Sequence, residues 1–292
     1  MLPNFFVVGA QKAATTSLHY YLAGHPQIYL PEQKETKFFV DDERYKKGIS
    51  FYENEHFRGW RGEPAIGEVD PDYMYFEQSV ERMACHMDLG SKKFMFIFRD
   101  PVERAFSHYL MTYRRGLEPL SFSEAIEQEP ERIKLGYDEK LHYSYVGRGY
   151  YLQQVERFLP YVNRNQMLFI LSEDLKRNPE ECLRIIFEFL EVSRDYVPQN
   201  IADMFHGATV PRSMALLKRI NEESVIKKIV RVLIPFADLR RRLLARIVEL
   251  NQTDRLSIVL EEEVRERLEN IFRPENDRLA EFLGLDHDLW VK

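Results

Sequence analysis

The chain has 292 residues, 45% apolar and 30% charged, with a net charge of −6 at neutral pH, which fits a globular protein with a sizeable core and removes the general electrostatic reason for a nucleic-acid partner. Its two cysteines, Cys85 and Cys182, match neither a metal-site spacing nor a disulfide framework, so a reducing, cytoplasmic setting is expected. No run reaches the roughly 18 apolar residues of a membrane span, and the N-terminal apolar stretch lacks the basic flank and length of a signal peptide, so neither is expected.

Strand-like runs alternate with helical segments. FFVVG (5–9) is the first strand, and a helix follows around Thr16–Ala23 after a small-residue loop. PAIGEVD (64–70) is the second strand, followed by helical SVERMACHM. KFMFIF (93–98) is apolar on both faces, the mark of a strand buried on both sides. It runs into a helix with Pro101 suited to the first turn and Gly116 placed as the stop. QMLFIL (166–171) is the fourth strand, and Asn178-Pro179-Glu180-Glu181 opens the next helix as a cap followed by proline and acids.

This alternation predicts an α/β fold: a single domain over 1–292 with a mainly parallel central sheet flanked by helices. The core covers about 1–210, and a helical C-terminal portion, about 211–292, packs on it. No strand is expected after Val210. Arg212 to Arg246 carries ten Lys/Arg against three Asp/Glu, so that stretch is +7 and the rest of the chain is −13. Its surface suits an acidic polymer, a carrier protein or a membrane, or simply a solvated helix pair.

In open parallel sheets, ligands bind beyond the carboxyl ends of the strands. The Gly9 loop, Arg99 and Ser172-Glu173 all fall there. Between strand and helix, Ala10-Gln11-Lys12-Ala13-Ala14-Thr15-Thr16-Ser17 offers backbone N–H groups, a helix N-terminus, one lysine and three hydroxyls, a layout that takes phosphate. It is not the nucleotide triphosphatase loop, because no Gly-Lys pair follows Gly9 at the required distance, and GxGxxG is absent. Arg99, at the end of the third strand, and Ser107, eight residues on, supply a guanidinium and a hydroxyl for a second phosphate. Taken singly, each of these residues equally fits a structural role.

Together, GAQKAATTSLHYYL and FIFRDPVERAFSHY resemble the 5′-phosphosulfate loop and the 3′-phosphate motif of sulfotransferases, in particular the heparan-sulfate-type branch and its bacterial relatives. KETKFF (34–39), GEVDPDY (67–73), GRGYYLQQVERFLPYV (147–162), LFILSEDL (168–175) and NDRLAEFLGLDHDLW (276–290) follow in the family's order. The resemblance implies a P-loop-like sulfotransferase fold and an enzyme that moves a sulfuryl group from 3′-phosphoadenosine 5′-phosphosulfate (PAPS) to a hydroxyl or amine. The desulfated nucleotide (PAP) would be the product, and no metal is required. It assigns Gln11, Lys12, Ala13, Ala14, Thr15, Thr16 and Ser17 to the phosphosulfate, Arg99 and Ser107 to the 3′-phosphate, and Arg212 as a further candidate there.

By the same resemblance Glu35 is the catalytic base, and Lys12 meets charge on the leaving group; an aromatic wall and flanking lysines can tune the pKa of Glu35 in either direction, with a rise by partial desolvation beside Phe38 and Phe39 the expectation. Lys37, Asp70 and Tyr145 are candidate acceptor contacts. Where the family often has glycine this chain has Ala14, which calls for a negative φ at that residue. Met111 and Val69 stand where some heparan enzymes carry histidine and lysine.

Glu68, Asp70 and Asp72 alternate along and past the second strand, fitting acceptor positioning, an alternative base, a simple turn or, least well, a metal site. Tyr137, Tyr143, Tyr145, Tyr150 and Tyr151, with Arg148, crowd one Gly-punctuated segment and suit either a sugar or phenolic acceptor or the core. The acceptor is a small molecule, a glycan or a carrier-bound β-hydroxyacyl chain. A nucleotide-binding protein without transfer activity is the rival class, opposed by the intact Lys12, Glu35, Arg99 and Ser107. Oligomeric state is not legible.

Overall fold

The computed structural model describes residues 1–198, 201, 258–285 and 289–290, and the backbone of 210–211 and 252–253. Its contacts form two compact units, one of Met1–Ala105, Val146–His206 and Leu268–Lys292, the other of Phe106–Tyr145 and Gly207–Arg267.

The first unit holds β1 (Phe5–Gly9), β2 (Ile28–Tyr29), β3 (Ala65–Val69), β4 (Lys93–Phe98) and β5 (Met167–Leu171) in one parallel sheet of order β2-β3-β1-β4-β5. Its flanking helices include α1 (Thr15–Ala23), α2 (Asp42–Tyr45), α3 (Ile49–His56) and α4 (Gln78–Ala84). Helix α5 (Pro101–Arg114) begins in this unit and continues into the second, which holds α6 (Phe122–Arg132) and α7 (Tyr137–Tyr143). The first unit resumes with α8 (Tyr151–Glu156), α9 (Ser172–Arg177) and α10 (Pro179–Leu190). The α/β expectation holds, and no helix among the described residues is long and apolar enough to cross a membrane.

β1 and β4 are apolar on both faces because strands lie on both sides of each and helices cover the sheet. All of β1 is buried, as is β4 after Lys93. Phe6 stacks on Phe94 with ring centroids 5.5 Å apart, and Phe96 on the half-buried Phe169 at 5.2 Å, the fully buried Phe6, Phe94 and Phe96 each worth about 1.5–3 kcal/mol. Gly67 faces Phe5 across the β1–β3 register, where a Cβ would stand 2.0 Å from the ring. Any side chain at 67 would have to displace the Phe5 ring.

Backbone bonds at the strand ends set the loops. The N–H of Ala10 donates to the Ile97 carbonyl (2.7 Å), that of Asp70 to Val7 (3.0 Å) and that of Met74 to Val8 (2.8 Å). The turn after β3 thus crosses the start of the β1 loop, and Gly9 permits it, since a Cβ there would lie 2.7 Å from Met74.

Helix α5 starts at Pro101 as read, and Gly116 at φ 73° closes it by donating to the Tyr113 carbonyl at 2.9 Å. Asn178 precedes α10 as expected, but its side chain makes no capping bond. The residue also ends α9, its N–H bound to the Asp174 carbonyl at 2.8 Å, and this junction sets its backbone. Against the expectation of no strand after Val210, β6 (Val210–Pro211) pairs antiparallel with β7 (Gln252–Thr253), two residues each and too short to leave an alternation in the sequence. Helix α11 (Glu262–Leu283) gives the helical C-terminal portion its described part. The basic 212–246 stretch, Arg212 included, lies outside the described residues.

Candidate functional site

The β1 loop departs from the expected turn. Ala14, the residue before α1, has φ 67° and ψ 18°, and Lys12 has φ 70°, so both are left-handed. The negative φ expected at Ala14 is therefore wrong; the methyl is tolerated in a conformation that costs an L-residue about 1–2 kcal/mol. Such backbone persists only where its surroundings hold it, and it gathers at functional sites. No side chain caps α1 and no acid sits in its first turn, so its positive dipole end has no carboxylate of its own beside it. Ala13 and Thr15 are buried, Gln11, Lys12 and Ser17 half-buried, and Thr16 exposed.

Arg99, 87 positions from Lys12, meets it: Nη1 donates to the Lys12 carbonyl at 3.1 Å. Its second nitrogen lies 3.8 Å from Glu103, and the Tyr151 hydroxyl donates to the Arg99 carbonyl at 2.8 Å. The two motifs are thus joined through one guanidinium. Ser107 lies half-buried in α5, among the residues of the second unit.

The KETK segment folds onto the end of β3. Glu35 and Lys37 are left-handed, at φ 63° and 60°. Glu35 pairs with Lys34 and, at 3.2 Å, with Lys37. Lys37 also reaches Asp70 at 3.0 Å and Asp72, and Arg148 binds Asp72 at 2.6 Å while lying over the Tyr75 ring. Burial pushes Glu35 up, but Lys37 and Lys34 outweigh it and hold the carboxyl below its ordinary value. This reverses the expected upward shift, because two ammonium groups lie at the carboxyl and outweigh burial.

Lys37 is pushed down by burial yet held charged by Asp70, Asp72 and Glu35. Burial raises Asp70 against the pull of Lys37, whereas for Asp72 the Lys37 and Arg148 charges overcome burial and lower it. Asp70 is fully buried and engages Lys37 through both its backbone N–H (2.8 Å) and its ammonium. It braces that lysine rather than presenting a surface to an acceptor.

Glu68 is fully buried too, and burial with the neighbouring Asp70 raises it to about 7. Tyr145 is corrected: it is completely buried in the second unit, and its hydroxyl donates to Glu118 at 2.6 Å, beside Arg132. No surface of it is left for an acceptor. Tyr151 is likewise buried, and His25 donates from Nε2 to the Ser193 carbonyl at 2.9 Å. Thr36, Tyr52 and Tyr73, which all bond Glu68, carry no sequence signal beyond their places in or near the KETKFF and GEVDPDY segments.

A family model described as a sulfotransferase domain matches residues 2–213. The membrane-associated sulfotransferase kil1 of Dictyostelium discoideum is 34% identical over 141 residues, 46% of this chain and 29% of that protein. The mouse heparan sulfate glucosamine 3-O-sulfotransferase 3B1 is 28% identical over 193 residues, 66% of this chain and 47% of that one. This chain thus spans less than half the length of the curated relatives it matches. The crystal structure of a sulfotransferase from Alicyclobacillus acidocaldarius superposes with a TM-score of 0.72 at 29% identity, covering 99% of both chains.

Proposed function

Because this chain belongs to the sulfotransferase family and is an enzyme that transfers sulfate, we propose that PAPS is its donor and a hydroxyl or amine of a glycan or small molecule its acceptor. The observation that carries the donor is the bond from Arg99 to the carbonyl of Lys12. It links a strand-end arginine to a phosphate loop, as a ligand with a 3′-phosphate and a 5′-phosphosulfate requires. The donor set fits: uncapped N–H groups, Lys12 and hydroxyls on one side, a guanidinium on the other.

Bound there, PAPS supplies a sulfuryl group on a phosphate leaving group. Lys12 and the α1 N–H groups stabilise negative charge at the departing oxygen. Glu35, ionised between Lys34 and Lys37, takes the acceptor's proton as the new bond to sulfur forms and the old sulfur–oxygen bond breaks. Lys37, fixed by Asp70 and Asp72, keeps that carboxylate in place.

The test is incubation with radiolabelled PAPS and a panel of glycan, phenolic, lipid and acyl-carrier-bound hydroxyl acceptors. Label transfer to one class names the acceptor. Absence of PAP binding altogether would end the donor assignment.

A further inference from the structure

Glu35 and Lys37 hold backbone conformations that side-chain-bearing residues resist, and something must impose them. Three successive N–H groups of this loop are taken by the end of β3. Glu35 donates to the Val69 carbonyl (3.2 Å), Thr36 to Glu68 Oε1 (3.3 Å) and Lys37 to Asp70 Oδ2 (2.8 Å).

Thr36 is wholly buried between the two strained residues. Its hydroxyl donates to Glu68 Oε1 at 2.5 Å and accepts from the Phe38 N–H at 3.2 Å, while Arg44 holds its carbonyl. Glu68 is tied down in turn by Tyr73 (2.9 Å) and Tyr52 (2.5 Å). A buried carboxylate is costly unless every lone pair is met, and here donors from three segments meet it. With no exposed surface, Glu68 has no route to an acceptor.

We infer that Thr36 and Glu68 are positioning residues for Glu35: the buried carboxylate pins the Thr36 peptide and hydroxyl, and so fixes Glu35 between Lys34 and Lys37. This rests on Glu35 being the base. Lys34, Lys37 and Asp72 face its carboxyl, with His19 of α1 feeling the same charges. Loss of the pin frees Glu35 from the lysines, and its carboxyl returns upward to the ordinary range.

The experiment titrates the Glu35 carboxyl by carbon NMR in full-length parent, Thr36→Val and Thr36→Ser, the signal being the one missing in Glu35→Gln. PAP-induced thermal shifts are measured beside it. In the parent, Glu35 should titrate below about 4.3, the ordinary glutamate value. Thr36→Val should move it up to that value and cut turnover about 10- to 100-fold, as displacing a catalytic group by about 1 Å does. Thr36→Ser should restore both, and PAP should stabilise all three alike.

A Thr36→Val protein whose Glu35 titrates as in the parent overturns the inference. Should that variant not fold, Thr36→Ala, which also removes the hydroxyl, decides by the same titration. Parental turnover in Glu35→Gln strikes the base reading instead, and is separable because the NMR result needs no acceptor.

Discussion

Replacing His19 by glutamine removes an acid-sensitive part of the stability, and the surroundings fix its size. The ring is 8% exposed on α1, and its Nδ1 has no hydrogen-bond partner among the described residues. Burial disfavours the imidazolium, Lys34 adds to this and Glu35 opposes it, so the pKa falls from 6.5 to about 4. The unfolded chain takes up this proton near pH 6.5 and the folded chain only near 4. The contribution is therefore complete above 6.5 and is lost as pH falls toward 4. Between pH 7 and pH 5 the loss comes to about 2 kcal/mol, one pKa unit being about 1.4 kcal/mol.

Glu68, raised to about 7, works in the opposite sense over the same range, so the measurement is a difference between two proteins. Urea unfolding at pH 7 and pH 5 should show the parent losing about 2 kcal/mol more than His19→Gln. Equal losses in the two would refute the argument.

PAP at about 100 times its dissociation constant should add roughly 2.7 kcal/mol of stability, with ATP giving much less; Arg99→Ala should lower PAP affinity by about 1.5–3 kcal/mol in calorimetry. Lys12→Ala should cut turnover about 100- to 1000-fold in the transfer assay while PAP binding is largely kept. Glu35→Gln should lower turnover about 100- to 10,000-fold, and the acid limb of the parent's kcat/KM profile should lie below about pH 4.3 because Lys37 and Lys34 keep the carboxylate ionised. Ala14→Gly should raise the unfolding free energy by up to about 1 kcal/mol, since glycine carries no penalty at that residue's φ of 67°.

The sheet is legible in the chain where burial is two-sided. FFVV and FMFIF are apolar throughout because β1 and β4 have neighbours on both edges and helices over both faces. β2 is invisible: an edge strand of two residues, Ile28–Tyr29, has no period to display. The loop's small residues and lone lysine are plain in the sequence, but the left-handed Ala14 is not, because alanine carries no mark of that conformation. In KETK, three charges around one threonine read as solvated surface. Thr36 is instead the most buried residue of the run, and its partner Glu68 lies 32 positions away, where no local pattern reaches. The direction of the Glu35 shift was hidden for the same reason, since it depends on where two flexible lysines come to rest.

The place of β1 in the middle of the sheet bears on how the chain is made. Phe5 pairs with Gly67 on one side and Lys93 on the other, so the first strand of the sheet to be synthesised waits for two later ones before both its edges are covered. At about 5–20 residues per second, the partner strands leave the ribosome seconds later. Until then FFVV is an unpaired, apolar ribbon with both edges open, the kind of segment that finds wrong partners. The distant pairings also make for slow folding. Escape from aggregation during synthesis therefore depends on how soon β4 emerges, and a translational pause placed before residue 93 would be more damaging to yield than the same pause after it.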